Sequence, residues 1–167
     1  MAPLRAHLRK GGADDHGWGL GLNIGRVAGL IANLSQRMAA HDRPVHLIGW
    51  SAGGVIAREV ARSQPSNVAG VITIGTPVVG GPRCTVISRF YPTRVLDQME
   101  HRMATAEETP IAVPLTAIYS RNDGIVDWRA MIPPETNANI LEVSATHWRL
   151  PFDREVWNAT VCALERV

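Results

Sequence analysis

Little in this sequence marks a specialised protein. Its two cysteines, Cys84 and Cys162, are isolated and lack any short spacing, so they suggest neither a disulfide framework nor a metal site and read as two free or buried thiols. An excess of one charge is missing too. Seventeen basic residues against 15 acidic ones give a formal charge of +2, too balanced to favour nucleic acid or an anionic membrane as a partner. Lys10 is the one lysine beside many arginines, and no basic run is interleaved with aromatics. No apolar stretch approaches the ~20 residues that a membrane span needs. Residues Met1 to Lys10 lack the continuous apolar core of a secretory signal, so a cytoplasmic location is the expectation. There is no internal repeat and no low-complexity linker.

What is present is ordinary and globular. A 46% hydrophobic and 19% charged composition argues against disorder or a fibrous repeat, and 167 residues are enough for one domain with a substantial core.

Hydrophobic periodicity divides the chain into alternating elements. Pro3 to Arg9, with Leu4 and Leu8 at i and i+4, predicts a short helix that stops at Lys10-Gly11-Gly12. Gly17 to Gly25 is too glycine-rich for a helix, and no Lys-Ser/Thr follows to make it a phosphate cradle. Val27, Ile31, Leu34 and Met38 recur at helical spacing over Arg26 to about His41. Val45 to Trp50 reads as a buried strand. A helix follows Ser51, with Gly53, Ile56, Ala57, Val60 and Ala61 inward and Arg58, Glu59, Arg62 and Ser63 outward. Val68 to Ile74, Pro114 to Ser120 and Asn139 to Ser144 read as further strands. Asp153 to Arg166 is a final helix with Val156, Trp157, Thr160, Val161 and Leu164 inward. Residues 78–110 carry no sustained periodicity beyond a helix near Arg94 to Ala106, and read as a lid-like insertion over one end of the sheet. Strands separated by helices or long crossovers predict an α/β fold: a mostly parallel sheet with helices on both faces, in one domain spanning 1–167.

Gly49-Trp50-Ser51-Ala52-Gly53 is G-x-S-x-G between a predicted strand and a predicted helix, the context in which this motif forms a nucleophile elbow. The turn must be tight, and Gly49, Gly53 and Gly54 are the small residues expected to let strand and helix approach. It lifts the Ser51 hydroxyl above the carboxyl ends of the strands and aims helix N-terminal amides, beginning with that of Ala52, at a developing oxyanion. A serine hydroxyl needs a base and a group to orient that base, in the chain order Ser, Asp or Glu, His. Five histidines, His7, His16, His41, His46 and His101, precede any strand-end acid, which leaves His147 after the last strand. Asp123 lies just past a strand end and before Gly124. Asp127, four residues on, is the competing acid and reads better as a structural or helix-capping carboxylate.

These residues resemble the α/β-hydrolase superfamily, particularly small bacterial serine esterases and lipases. The matches are Val45 to Gly54, Ile72-Thr73-Ile74-Gly75-Thr76-Pro77, Ile118 to Val126 and Val143-Ser144-Ala145-Thr146-His147, in the family's order and, with Gly17 to Gly25, over nearly the whole chain. The resemblance implies a Ser51, Asp123, His147 triad with no metal and no organic cofactor. It also implies a carboxylic ester or lipid as small-molecule substrate, with Trp50, Phe90, Tyr91 and Trp148 as candidates to line an acyl pocket. Acyl transfer and thioester hydrolysis use the same triad. A non-catalytic remnant or interaction module of the same fold is the alternative from another class. The sequence departs from the family at its front, where Pro3 to Arg9 resembles the first conserved helix. The usual preceding strand, with the glycine-containing loop that supplies the second oxyanion donor, would then fall before Met1. The expectation is an N-terminally abbreviated fold that exposes the Val45 to Gly49 edge, available for pairing with a second copy, with the Gly19 to Gly25 loop as a substitute source of an amide.

Overall fold

The four runs richest in aliphatic and β-branched residues are the strands of one parallel sheet. In the computed structural model, which describes residues 1–19 and 27–165, they are β1 (Val45–Trp50), β2 (Val68–Ile74), β3 (Leu115–Tyr119) and β4 (Asn139–Glu142), ordered β1-β2-β3-β4. The register aligns Ile48 with Ile72, Ile72 with Thr116 and Thr116 with Asn139. Helices α1 (Ala2–Lys10), α2 (Val27–Ala39), α3 (Ala52–Ser63), α4 (Thr93–Glu107) and α5 (Arg154–Leu164) complete the fold.

Side chains along a strand alternate between its two faces, and here both faces are apolar. Ile72, Ile74 and Ile118 point to one side, where they meet Leu4 and Leu8 of α1 and Val156 and Ala163 of α5. Leu47, Val71 and Leu115 point to the other, against Ala57, Val60 and Ala61 of α3 and Met38 of α2. The result is three layers with the sheet in the middle. Among the described residues β1 pairs with β2 on one side only, so the strand that leads into Ser51 is an edge.

Several expectations need correction. β1 and β2 have the ends read from sequence, whereas β3 is shorter by one residue at each end and β4 by two at its carboxyl end. The final helix ends at Leu164 and begins at Arg154, because Asp153 caps it, accepting a hydrogen bond from the Glu155 amide. Along α5 the residues sealed from solvent are Val156, Thr160 and Ala163, while Trp157, Val161 and Leu164 are only partly buried. Arg58, expected outward on α3, is 2% exposed. Glu135, brought in by the connection between β3 and β4, meets its guanidinium at 2.9 Å, so the charge is buried with a partner. The Gly17 to Gly25 segment lies largely outside the described residues, and with it the substitute oxyanion amide.

Residues 78–110 contain the short 3-10 turns Gly81–Cys84 and Val86–Phe90 and then α4. The segment is moored at its start: the Val86 amide donates to Ile125 O at 2.8 Å and the Asp127 amide to Cys84 O at 2.9 Å. Arg83 then reaches α4, where it pairs with Asp97 and, at 2.9 Å, with Glu100.

The turn from β1 into α3 brings strand and helix into backbone contact. A Cβ on Gly49 would overlap the backbone of Gly53 and Gly54, and one on Gly54 would overlap the Thr76 side chain, whereas Gly53 faces open space. The close approach therefore depends on Gly49 and Gly54 and not, as the motif alone suggests, on Gly53. Gly49→Ala should lower unfolding free energy by about 1–3 kcal/mol through overpacking. Gly53→Ala should raise it by about 0.4–1 kcal/mol by restricting the unfolded chain; urea unfolding of the two variants measures both.

Candidate active site

Because all four strands run parallel, their carboxyl ends share one edge of the sheet, and residues distant in sequence converge there. Ser51 follows the last residue of β1 and precedes the first of α3. Its backbone, φ 53° and ψ −128°, is the one non-glycine positive φ among the described residues. Such a conformation costs ~1–3 kcal/mol and persists only where the surroundings enforce it. Here the Ser51 amide donates to Ile74 O at 2.9 Å, while the Ser51 carbonyl accepts from the Gly54 amide at 3.0 Å and from Thr76 Oγ1 at 2.9 Å.

Asp123 lies past the end of β3, and its backbone oxygen accepts from the His147 amide at 2.9 Å. Its Oδ1 accepts from the amides of Ile125 and Val126 at 3.0 and 2.7 Å, which leaves Oδ2 for His147 Nδ1 at 2.7 Å. The other ring nitrogen, Nε2, is 3.0 Å from Ser51 Oγ. Asp123 and His147 are 3% and 2% exposed, so the pair sits out of water while Ser51 remains half-buried at the surface. Their chemistry fixes the roles of the two ring nitrogens. A carboxylate only accepts, so Nδ1 carries the proton, and Nε2 is left to accept from the serine hydroxyl. Asn122 ties the acid loop to the histidine loop through a 3.1 Å bond from Nδ2 to Ser144 Oγ.

The structure thus brings together Ser51, Asp123 and His147. Asp127 is the N-cap of the short turn Trp128–Met131, accepting from the Arg129 amide at 3.0 Å. Ala52, first residue of α3, is exposed, and the first amides of a helix have no intrahelical partner. Of the aromatic candidates, the Trp50 ring is 5.3 Å from that of His147 and 5.7 Å from that of Trp148. Trp148 stands edge-on to His147 at 5.7 Å and is 65% exposed. Phe90 and Tyr91 are also exposed, on the inserted segment, and among the described residues no ring contact joins them to this group. Burial, then the carboxylates of Asp127 and Glu100, push the Cys84 thiol above its ordinary pKa, which keeps it protonated and a poor nucleophile.

Sequence reasoning gave no role to Gly75 or Thr76, although Gly75-Thr76-Pro77 stood out as a motif. Gly75 turns the chain out of β2 with φ +56°, and a Cβ there would lie 2.6 Å from Leu150 Cδ1, 3.3 Å from Asp123 Oδ2 and 3.5 Å from His147 Nδ1. Only glycine both adopts that backbone freely and leaves room for the carboxylate and imidazole to meet. A glycine directly after a buried strand and before Thr-Pro was the available signal.

Comparison with known proteins agrees with this architecture. A model of the alpha/beta hydrolase family matches residues 4–165. The chain belongs to the alpha/beta hydrolase family. Pimeloyl-[acyl-carrier protein] methyl ester esterases of Yersinia pseudotuberculosis and Yersinia pestis are 34% identical to it over 74 residues, 44% of this chain. That match spans only 28% of the esterases' own length. Among solved structures, a hydrolase of the alpha/beta superfamily from Xanthomonas campestris pv. campestris superposes with a TM-score of 0.68 at 19% identity, covering 99% of this chain and 89% of that one. A metagenomic carboxyl esterase, MGS0156, gives 0.64 at 15% identity, covering 84% and 63%. Both likenesses concern the fold. No helix among the described residues is long and apolar enough to cross a membrane.

Gly75→Ala should cost about 1–3 kcal/mol in stability, from the positive φ and the contact with Leu150. It should also shift or abolish the downfield proton NMR signal of His147 Nδ1–H, which in the parent chain is bonded to Asp123. An unchanged signal would mean that Gly75 does not shape the Asp123–His147 contact.

Proposed function

We propose that the chain is a serine hydrolase that cleaves a carboxylic ester through an acyl-enzyme. The observation that carries this reading is the continuous path from Ser51 Oγ to His147 Nε2, 3.0 Å, and from His147 Nδ1 to Asp123 Oδ2, 2.7 Å, at a strained strand-to-helix turn. The ester-cleaving names of the Yersinia relatives favour the same bond type.

In this mechanism Ser51 Oγ attacks the ester carbonyl as its proton passes to His147 Nε2, and the carbonyl oxygen becomes an oxyanion that takes the Ala52 N–H. Asp123 holds the imidazole in the required tautomer and stabilises the imidazolium; its Oδ1, occupied by two amides, keeps the carboxylate from turning away. The imidazolium then protonates the departing alkoxide. Water, deprotonated by the same Nε2, attacks the acyl-serine, and collapse of the second tetrahedral intermediate returns the proton to Ser51 and releases the acid. Every step uses side chains and backbone of this chain, without a metal or an organic cofactor. Trp50 and Trp148 would form the apolar wall beside the imidazole, and residues 78–110, with Phe90 and Tyr91, a lid-like cover of the single domain 1–167. The substrate class is a small-molecule ester or lipid.

A fluorophosphonate probe should label the folded chain, and Ser51→Ala should abolish the label and lower kcat on p-nitrophenyl esters by about 10⁴ to 10⁶. Asp123→Asn should reduce kcat by roughly 10⁴ while leaving KM nearly unchanged. Labelling that survives Ser51→Ala, or folded protein that takes no label, would sink the reading.

A further inference from the structure

We propose that Thr76 is the positioning residue of the oxyanion donor: by holding the Ser51 carbonyl, its hydroxyl aims the Ala52 N–H at the oxygen that becomes charged. This inference rests on reading Ser51 as the nucleophile and assigns a role to a residue outside the Ser51, His147 and Asp123 group.

The argument begins with the peptide plane. Ser51 C=O and Ala52 N–H belong to one trans peptide unit, lie in one plane and point in opposite directions. Rotation about the Ser51 Cα–C bond, the torsion ψ, turns both together. Whatever fixes the carbonyl therefore fixes the amide. Ser51 ψ is −128° in a backbone that ordinary residues avoid, so the plane would relax if released.

Two donors hold that carbonyl, the Gly54 amide at 3.0 Å and Thr76 Oγ1 at 2.9 Å. The Gly54 bond closes the first turn of α3 and moves with the helix. The Thr76 bond comes from the sheet, because Thr76 follows β2 by two residues and is 1% exposed. A hydroxyl has one proton to give. The Thr76 hydroxyl lies 2.9 Å from Ser51 O and 3.4 Å from Ile74 O, and Ile74 O already accepts the Ser51 amide at 2.9 Å. The stronger interaction is with Ser51. The end of β2 thus grips the serine at both ends, through Ile74 O on its amide and Thr76 Oγ1 on its carbonyl. Gly54 makes this reach feasible, since any Cβ there would occupy the space of the Thr76 hydroxyl.

The direction of a donor matters most when charge has developed on the substrate oxygen. Loss of the Thr76 hydroxyl should then appear in kcat and leave KM almost untouched. Complete loss of an oxyanion donor costs ~10²–10³ in turnover, and a misaimed one should cost about 10- to 100-fold.

The test compares two pairs that differ by the hydroxyl alone in near-equal shapes, Thr76 with Thr76→Val and Thr76→Ser with Thr76→Ala. Each variant is checked for a cooperative thermal transition, and kcat and KM are measured on p-nitrophenyl acetate. The expected result is that kcat falls about 10- to 100-fold in Val and Ala, that Ser stays within about threefold of the parent, and that KM changes less than twofold. If Thr76→Val does not fold, the Ser and Ala pair decides. Folded Val or Ala variants with parental kcat, a loss confined to KM, or a Ser variant as impaired as Ala would overturn the proposal. Ser51→Ala and the fluorophosphonate probe, run in parallel, separate the two failures. If the parent labels and Ser51→Ala does not, yet Thr76→Val and Thr76→Ala turn over like the parent, Thr76 alone has been misassigned. If Ser51→Ala retains parental turnover, the serine reading itself has failed and the role of Thr76 goes with it.

Discussion

The strained backbone of Ser51 is the constraint around which the sheet edge is organised. A residue at φ 53° and ψ −128° is stable only when its neighbours hold it more firmly than it can relax. The neighbours here are of two kinds. Gly49 and Gly54 act by the absence of side chains, which lets β1 and α3 touch through their backbones. The end of β2 acts through hydrogen bonds, with Ile74 O on the serine amide and Thr76 Oγ1 on its carbonyl. Packing supplies the rigidity that both require. Ile72, Ile74 and Ile118 on one face and Leu47, Val71 and Leu115 on the other are sealed between helices, so the strand ends cannot drift apart.

The same edge makes a buried carboxylate tolerable. A carboxylate removed from water is costly unless every oxygen is occupied, and Asp123 meets that condition with two amides on Oδ1 and the imidazole on Oδ2. Its loop is in turn tied to the histidine loop, through the His147 amide on Asp123 O and Asn122 on Ser144. Gly75 keeps the space between these two loops and the end of β2 clear. Four chain segments therefore depend on one another, and none positions its side chain alone.

Much of this was legible in the sequence because it is carried by local pattern. The strand before Ser51 and the helix after it are properties of short windows, and the chain order Ser, Asp, His goes with the fold that the motif signals. So is the preference for Asp123 over Asp127, which follows from nearness to a strand end, and Asp127 indeed caps a turn. What was not legible depends on contacts between distant segments. A helical wheel places Arg58 outward by its charge, yet Glu135, 77 residues further along the chain, meets it in the interior. The spacing of G-x-S-x-G draws the eye to Gly53, but the helix turns its next residue, Gly54, toward β1 and Thr76. Thr76 looked like the punctuation of a strand because nothing in a window of sequence reveals which carbonyl its hydroxyl will reach. The aromatic residues split in a way composition does not foretell. Trp50 and Trp148 gather beside the imidazole, while Phe90 and Tyr91 face outward on the inserted segment.

The central claim is that Ser51 forms a covalent acyl intermediate, and the most direct measurement is the mass of the chain during turnover. Acid quenching with excess p-nitrophenyl ester, followed by intact-mass and peptide analysis, should find one acyl group, on the peptide containing Ser51. It should disappear as substrate is exhausted. An acyl group on another residue, or steady hydrolysis with no acylated chain even under single-turnover conditions, would contradict the account.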